Sequence, residues 1–228
     1  MKNLPFLLIL PALLLAQAWD GTASTDWYTS DPAADAYTIT TAEQLAGLAE
    51  LVNNGNSFEG IAIKLGNSIA LNDTTGWAEW DEETTGLREW AAIGMGGTIL
   101  TFRGTFDGDG HVVSGVYINK PDADGQGLFG AVQNGTIQNG TIQNIGVVGS
   151  FVKGMGSAGG LVGYCYSDSF IISNSYATGN VSGSGVNNGT GGLVGSGGCA
   201  ISNSYATGNV EGTSAARRLG GEKLGHNH

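Results

Sequence analysis

Basic side chains are scarce in this sequence. Nine Lys and Arg stand against twenty Asp and Glu, a formal charge of −11. A surface so poor in cations excludes nucleic acid and anionic membrane surfaces as partners, since both are bound by neutralising phosphate. Histidine is nearly missing as well, with only His111, His226 and His228. No zinc-ligand spacing, phosphate loop or Ser/His/Asp arrangement can be assembled from what remains. Cys165 and Cys199 are the only cysteines, too few for a disulfide-built scaffold. Beyond residue 18 no apolar run is long enough to cross a hydrocarbon layer of about 30 Å, so no membrane span is expected.

What is present begins with an export signal. Lys2 is a short positive region, Leu4 to Leu15 is apolar apart from Pro5 and Pro11, and Ala16-Gln17-Ala18 offers the small-x-small pattern of a cleavage site. Residues 1–18 are therefore predicted to be a signal peptide cleaved after Ala18, and the mature protein to be secreted or held at the cell surface. No cysteine follows the cleavage site, which argues against a lipid anchor.

The rest of the chain divides by composition. Seventeen of the twenty acids precede Gln126, and Gly127 to Gly212 holds 22 of the 40 glycines. The glycines are ordered rather than random. Gly159-Gly160-Leu161-Val162-Gly163 recurs as Gly191-Gly192-Leu193-Val194-Gly195, and Ile172 to Val181 recurs identically as Ile201 to Val210. Gly127-Leu128-Phe129-Gly130 with Ile142 to Val147 is a degenerate earlier copy, and Val113 to Ile118 fits the second half of one before that. A spacing of about 30 residues signals a solenoid. The absence of helical periodicity, and three short β-prone patches per unit, predict an all-β chain: a right-handed parallel β-helix with three strands per coil.

Aligned copies place Val113/Val116/Ile118, Ile142/Ile145/Val147, Ile172/Ser175/Ala177 and Ile201/Ser204/Ala206 inward. The spacing of three then two requires a corner, occupied by Gly115, Asn144, Asn174 and Asn203, residues that tolerate the left-handed region. Tyr117, Gly146, Tyr176 and Tyr205 then point outward, and Tyr176 should lie over Tyr205. That pair is a candidate contact stripe for sugars or a partner protein; the plainer reading is a stack that shields the sheet.

Residues 19–40 read as a lead-in to a β-helix spanning 41–212. Thr41 to Val52 carries Leu45, Leu48, Leu51 and Val52 on one face, with Thr40/Glu43 or Thr41/Gln44 as a capping box and Asn53-Asn54-Gly55 as a stop. This amphipathic helix, 41–53, should cap the first coil, with Phe58 to Leu71 as the first strands. Residues 72–90 interrupt the pattern with Trp77, Trp80, Asp81, Glu82, Glu83 and Trp90 and read as a protruding loop. Trp77 and Trp80 are candidate sugar-stacking residues; alternatively the loop packs its own tryptophans on the coil. Residues 213–228 depart from the repeat and read as a disordered or aberrant tail, as a truncated or frameshifted end to a longer array would leave.

Gly-Gly-Leu-Val-Gly followed by Ile-Ser-Asn-Ser-Tyr-Ala-Thr-Gly-Asn-Val resembles the GLUG motif repeat of bacterial surface proteins. Thr105 to His111 and the Thr-Ala-Glu-Gln-Leu helix also resemble the N-terminal ends of such proteins, and the resemblance spans about Ala36 to Gly212, with GLUG repeats over 127–212. It implies an exported, adhesin-like β-helical array, and the leading expectation is a binding module without catalytic activity. Such repeats also accompany secreted metallopeptidases as an accessory region, but this chain has no His-Glu-x-x-His.

Three chemical candidates remain. Asp107-Gly108-Asp109-Gly110-His111 holds the catalytic alternative, Asp107, Asp109 and His111, as in a polysaccharide lyase or hydrolase built on a β-helix; Gly108 and Gly110 fit a plain turn equally. Asp122 and Asp124 open like a calcium loop but lack the distal Glu, so no cofactor is required and calcium is the one candidate. Cys165 and Cys199 follow equivalent Gly-Gly-Leu-Val-Gly strands, at offsets of six and eight residues. Adjacent coils would bring them into bridging range, against that mismatch of offsets. The expected partner is an extracellular carbohydrate or a protein of a host or neighbouring cell; a ligand-free architectural spacer fits the same repeats.

Overall fold

A computed structural model of the chain describes residues 19–185, 189–212 and 216–217. The predicted signal peptide, 1–18, lies outside the described residues, as does the tail 213–228 except for Ala216–Arg217. Those two residues pair in parallel with Thr190–Gly191.

Three parallel sheets form the walls of a β-helix. The first contains Ala36–Ile39, Ala62–Leu65, Thr105–Asp107, Thr141–Gln143, Ile171–Ser173 and Ala200–Ser202, in that order. The second is built on Gly146–Gly159 and Tyr176–Gly183, which pair from Tyr176↔Gly146 to Gly183↔Gly154. Thr105–Asp107 is continued on this sheet by Val112–Ser114 and Tyr117–Gln126, and the last coil by Tyr205–Thr207 and Val210–Gly212. The third sheet stacks Phe129–Val132, Val162–Cys165 and Val194–Gly197.

The first strand comes earlier than the sequence suggested. Ala36–Ile39 alternates exposed and buried residues and pairs in parallel with Ala62–Leu65, so the lead-in already belongs to the solenoid. The helix Ala42–Asn53 follows that strand and closes this end. Leu45, Leu48 and Val52 enter the continuous core beside Trp19 and Phe58. Thr41 Oγ1 accepts from the Gln44 N–H at 3.3 Å, while Gln44 Oε1 reaches back to the Thr40 N–H at 2.8 Å.

The corner reading holds where the repeats are strong. Asn144, Asn174 and Asn203 take φ of 54°, 49° and 47°. Their side chains form a ladder: Asn174 Nδ2 donates to Asn144 Oδ1 at 3.2 Å, and Asn144 Nδ2 to Asp107 Oδ1 at 3.0 Å. Inside the corner a second ladder runs through serine. Ser175 Oγ accepts from the Ile145 N–H at 3.4 Å, and Ser204 Oγ accepts from the Ser175 N–H at 3.1 Å. The corner turns these N–H groups inward, so a small hydroxyl side chain serves there where a larger apolar one would leave them unpaired.

The copy over 113–118 takes a different register from the one its apolar spacing implies. Val113 pairs with Val147, and Ile118 with Val152, not Val113 with Ile142. The turn Asp107–His111, with Asp109 at φ 52° and Gly110 at 82°, replaces the single corner residue and displaces everything after it. Gly115 therefore makes the next bend, where its N–H donates to Val148 O at 3.0 Å, close to Gly149 with φ 58°. Val113, Val116 and Ile118 are still buried. Tyr117 leaves the Tyr176/Tyr205 row and pairs instead with Phe151.

Candidate binding site

Outward side chains of the second sheet form rows across the coils. One row runs Gly146, Tyr176, Tyr205. The Tyr176 and Tyr205 rings are stacked at 5.2 Å and 4°. A side chain on Gly146 would collide with the Tyr176 ring, so that glycine is what lets the first tyrosine lie down on the sheet. Tyr205 is 52% exposed.

Four residues further along Tyr176–Gly183, about 13 Å at about 3.3 Å per residue, two more rows meet the 72–90 loop. Tyr117 and Phe151 pair in register, and Phe151 with Asn180. Asn119, Lys153, Ser182 and Glu211 lie side by side on four successive strands. The loop is tied at its neck by Asn72. This buried amide donates to Arg88 O at 2.9 Å and Gly115 O at 2.8 Å, and accepts from the Arg88 N–H at 2.7 Å. Trp77–Glu79 forms a single 3-10 turn.

The loop then lies down on the rows. Trp80 packs edge-on against Tyr117 at 6.1 Å, and Tyr117 stacks on Phe151 at 5.4 Å. Tyr117 Oη donates to Asp81 O at 3.0 Å, Asn119 Nδ2 to Glu82 O at 3.1 Å, and Asn180 Nδ2 to Ala78 O at 3.3 Å. Lys153 Nζ meets Glu82 Oε1 at 2.8 Å, and that bond holds the Glu82 carboxyl below its ordinary pKa. Burial pushes the Tyr117 phenol up. Trp80 is only 7% exposed, so the loop packs its own tryptophan on the coil instead of displaying it. Trp77 is half-buried against the same cluster.

Where the loop ends, the sheet continues, and a groove of about 540 Å³ opens between them. Trp80, Asp81 and Glu82 form its wall; Phe151, Lys153, Asn180, Ser182, Asn209 and Glu211 form its floor. Sequence reasoning found the wall and missed the floor. The signal was present: Asn180 and Asn209 hold the same place in the two identical repeats, and the Asn209 N–H donates to Asn180 Oδ1 at 3.3 Å.

The other candidates lie elsewhere. Asp107 is the foot of the asparagine ladder. Its carboxylate also accepts from the Asp109 N–H at 2.8 Å and from Gln143 Nε2 at 2.9 Å. Burial opposes its ionisation, but the hydrogen bonds from Asn144, Asp109 and Gln143 outweigh that and hold its pKa below the ordinary value. Asp109 is paired with Lys64 at 3.0 Å, both half-exposed. His111 uses its N–H on Gly108 O at 2.8 Å to close the turn. Asp122 and Asp124 sit on Tyr117–Gln126; among the described residues no three His, Cys, Asp or Glu side chains gather around a metal-sized space. Cys165 and Cys199 are bonded, with their Cα atoms 6.0 Å apart; Gly197 at φ 94° and Gly198 reshape the chain between the two strands and absorb the offset of two.

Residues 156–182 match the family model described as the GLUG motif. The chain carries a GLUG motif. No curated protein and no solved structure matches it. In this fold the GLUG segment runs from the second sheet into the third at Val162–Cys165, through the first at Ile171–Ser173, and back to the second at Tyr176. Its Gly159 and Gly160 pack where any Cβ would strike the neighbouring coil's backbone, and Leu161 is fully buried. The GLUG residues thus build the coil corner. Of the groove, only Asn180, Val181 and Ser182 fall within the motif.

Proposed function

We propose that this GLUG-motif protein is an exported, adhesin-like binding module without catalytic activity, acting on an extracellular carbohydrate or on a protein of a host or neighbouring cell. The observation that carries the reading is the outer face of the second sheet. There Tyr205 presents a half-exposed ring, stacked on Tyr176, on the same face as a preformed groove lined by Lys153, Asn180, Ser182 and Glu211. A rigid aromatic beside convergent polar groups is the composition of a recognition surface.

Two further features agree with it. A bonded cysteine pair suits an oxidising compartment and hence export. The candidate acid cluster suits a structural role, since Asp107 is held ionised by three donors and Asp109 is paired with Lys64; a general acid needs a raised pKa instead. The module needs no cofactor, and no helix of the described residues is long and apolar enough to cross a membrane.

The test is binding of the mature protein to glycan and extracellular-protein arrays, with Tyr205→Ala and Tyr176→Ala beside the parent chain. Loss of signal in both variants supports the stripe as a contact; survival of binding in both assigns the stack to the fold. Turnover of any glycan by the parent chain would overturn the non-enzymatic reading.

A further inference from the structure

We infer that the groove beside the 72–90 loop is a saccharide subsite that takes uncharged sugar residues and rejects acidic ones. The inference rests on the binding-module reading above and adds a place and a ligand chemistry to it.

The shape fits first. At about 540 Å³ the groove is within the range of small-ligand sites, about 300–1,000 Å³. It is also preformed. Its wall is fixed by the Glu82–Lys153 pair at 2.8 Å, by the Asn180 amide on Ala78 O, and by the Tyr117 hydroxyl on Asp81 O. A site already held in place loses little order when a ligand enters.

The lining selects the chemistry. Lys153, Ser182 and Glu211 stand in register on successive strands, spaced about 4.8 Å apart. They offer a donor, a hydroxyl and an acceptor in a row. A sugar ring carries hydroxyls that each donate and accept, and such a mixed row satisfies them. Trp80 and Phe151 are almost wholly buried, so the side chains that line the floor beside them are chiefly the polar ones, Lys153, Asn180, Ser182, Asn209 and Glu211.

Charge sets the selectivity. Asp81, Glu82 and Glu211 line the groove; among the described residues Lys153 is the one cation in that lining, and it is paired with Glu82. A uronate, sulfated or sialylated residue would enter against Asp81 and Glu211, which have no ion-pair partner among the described residues, and like charges repel.

The experiment is calorimetric titration of the mature protein with neutral xylo-, manno- and cello-oligosaccharides, with polygalacturonate oligomers and with oligolysine. Ser182→Trp fills the groove and Glu211→Lys reverses its charge; both are checked for retained β-sheet circular dichroism. The parent chain is expected to bind at least one neutral oligosaccharide and no polygalacturonate. Ser182→Trp should weaken that binding tenfold or more, and Glu211→Lys should admit polygalacturonate. Equal binding of acidic and neutral sugars, binding of oligolysine alone, or no binding of any sugar overturns the inference. Neutral binding untouched by Ser182→Trp but lost in Tyr205→Ala also overturns the groove assignment, while leaving the binding-module reading intact. Should Ser182→Trp not fold, the selectivity of Glu211→Lys decides.

Discussion

The ring of Tyr205 lies flat on that of Tyr176, 5.2 Å away and tilted by 4°. The stack ends on Gly146, which has no side chain to lift the lower ring from the sheet. Removing the outer ring in Tyr205→Ala should cost about 1 kcal/mol, the usual worth of an aromatic pair. For a chain of this size that lowers Tm by about 2–4 °C. Gly146→Ala should cost more, because the new methyl group strikes the Tyr176 ring. Thermal unfolding followed by circular dichroism checks both; equal stability of all three proteins would show that the stack contributes nothing to the fold.

Asp107 should act through the asparagine ladder. Its folded pKa is depressed, so its ionised form stabilises the fold at pH values above 3.8, the ordinary value, and that contribution is lost as pH falls through the lower folded value. Asp107→Ala deprives Asn144 and Gln143 of their acceptor and should lower stability by about 2 kcal/mol at neutral pH. The gap between the variant and the parent chain should then narrow as the solution is acidified below 3.8. A gap that is flat across this range would assign the carboxylate no structural role.

How much of this was legible beforehand depends on how strictly each residue is tied to the repeat. Asn174 and Asn203 sit at left-handed corners that only a few residue types accept, and identical copies place them without ambiguity; the β-helix and the Tyr176/Tyr205 stack followed from that. Val113 was misplaced because Val-x-x-Val-x-Ile imitates Ile-x-x-Ile-x-Val, while the longer Asp107–His111 turn leaves no trace in apolar spacing. The groove was half legible. The loop tryptophans advertised its wall, but its floor is assembled by register from Lys153, Ser182 and Glu211, which hold equivalent places 29 residues apart yet differ in residue type, so the repeat marks the positions and not their chemistry.

The serine ladder should be sensitive to loss of one oxygen. Ser175 is buried, accepts from the Ile145 N–H at 3.4 Å and donates to Ser173 O at 2.8 Å. Ser175→Ala leaves a buried N–H without a partner, a loss of about 1–3 kcal/mol. Amide hydrogen exchange at Ile145 should accelerate in the variant, with little change at Phe106 in the adjoining strand. Unchanged protection at Ile145 would mean that another acceptor replaces the hydroxyl.

Cys165 and Cys199 enclose a segment with a sequence separation of 34. Closing a loop of that length should contribute about 3–4 kcal/mol by restricting the unfolded chain. The double variant Cys165→Ser/Cys199→Ser, or the parent chain under reductant, should melt about 10 °C lower. The last strands of the first and third sheets, Ala200–Ser202 and Val194–Gly197, should lose exchange protection first, since the bond anchors the segment between them. Uniform loss of protection along the solenoid would argue instead for one cooperative unit.

Asn72 offers the sharpest separation of fold from binding. Its amide joins both ends of the loop to Gly115 O, and Arg88 meets both its oxygen and its nitrogen. Asn72→Ala keeps the solenoid core, whose side chains it does not touch, but unties the neck that carries Trp80 and Glu82. The cost should be about 2 kcal/mol, because the buried Gly115 O and the part-buried Arg88 N–H and C=O lose their partner at once. Trp80 should gain solvent exposure, seen as red-shifted tryptophan emission and easier quenching by iodide. If the groove is the ligand site, sugar affinity falls in step with that exposure, because its wall is no longer preformed. If affinity holds while Trp80 is exposed, the ligand sits on the Tyr176/Tyr205 row, and the loop serves only to cover Tyr117 and Phe151.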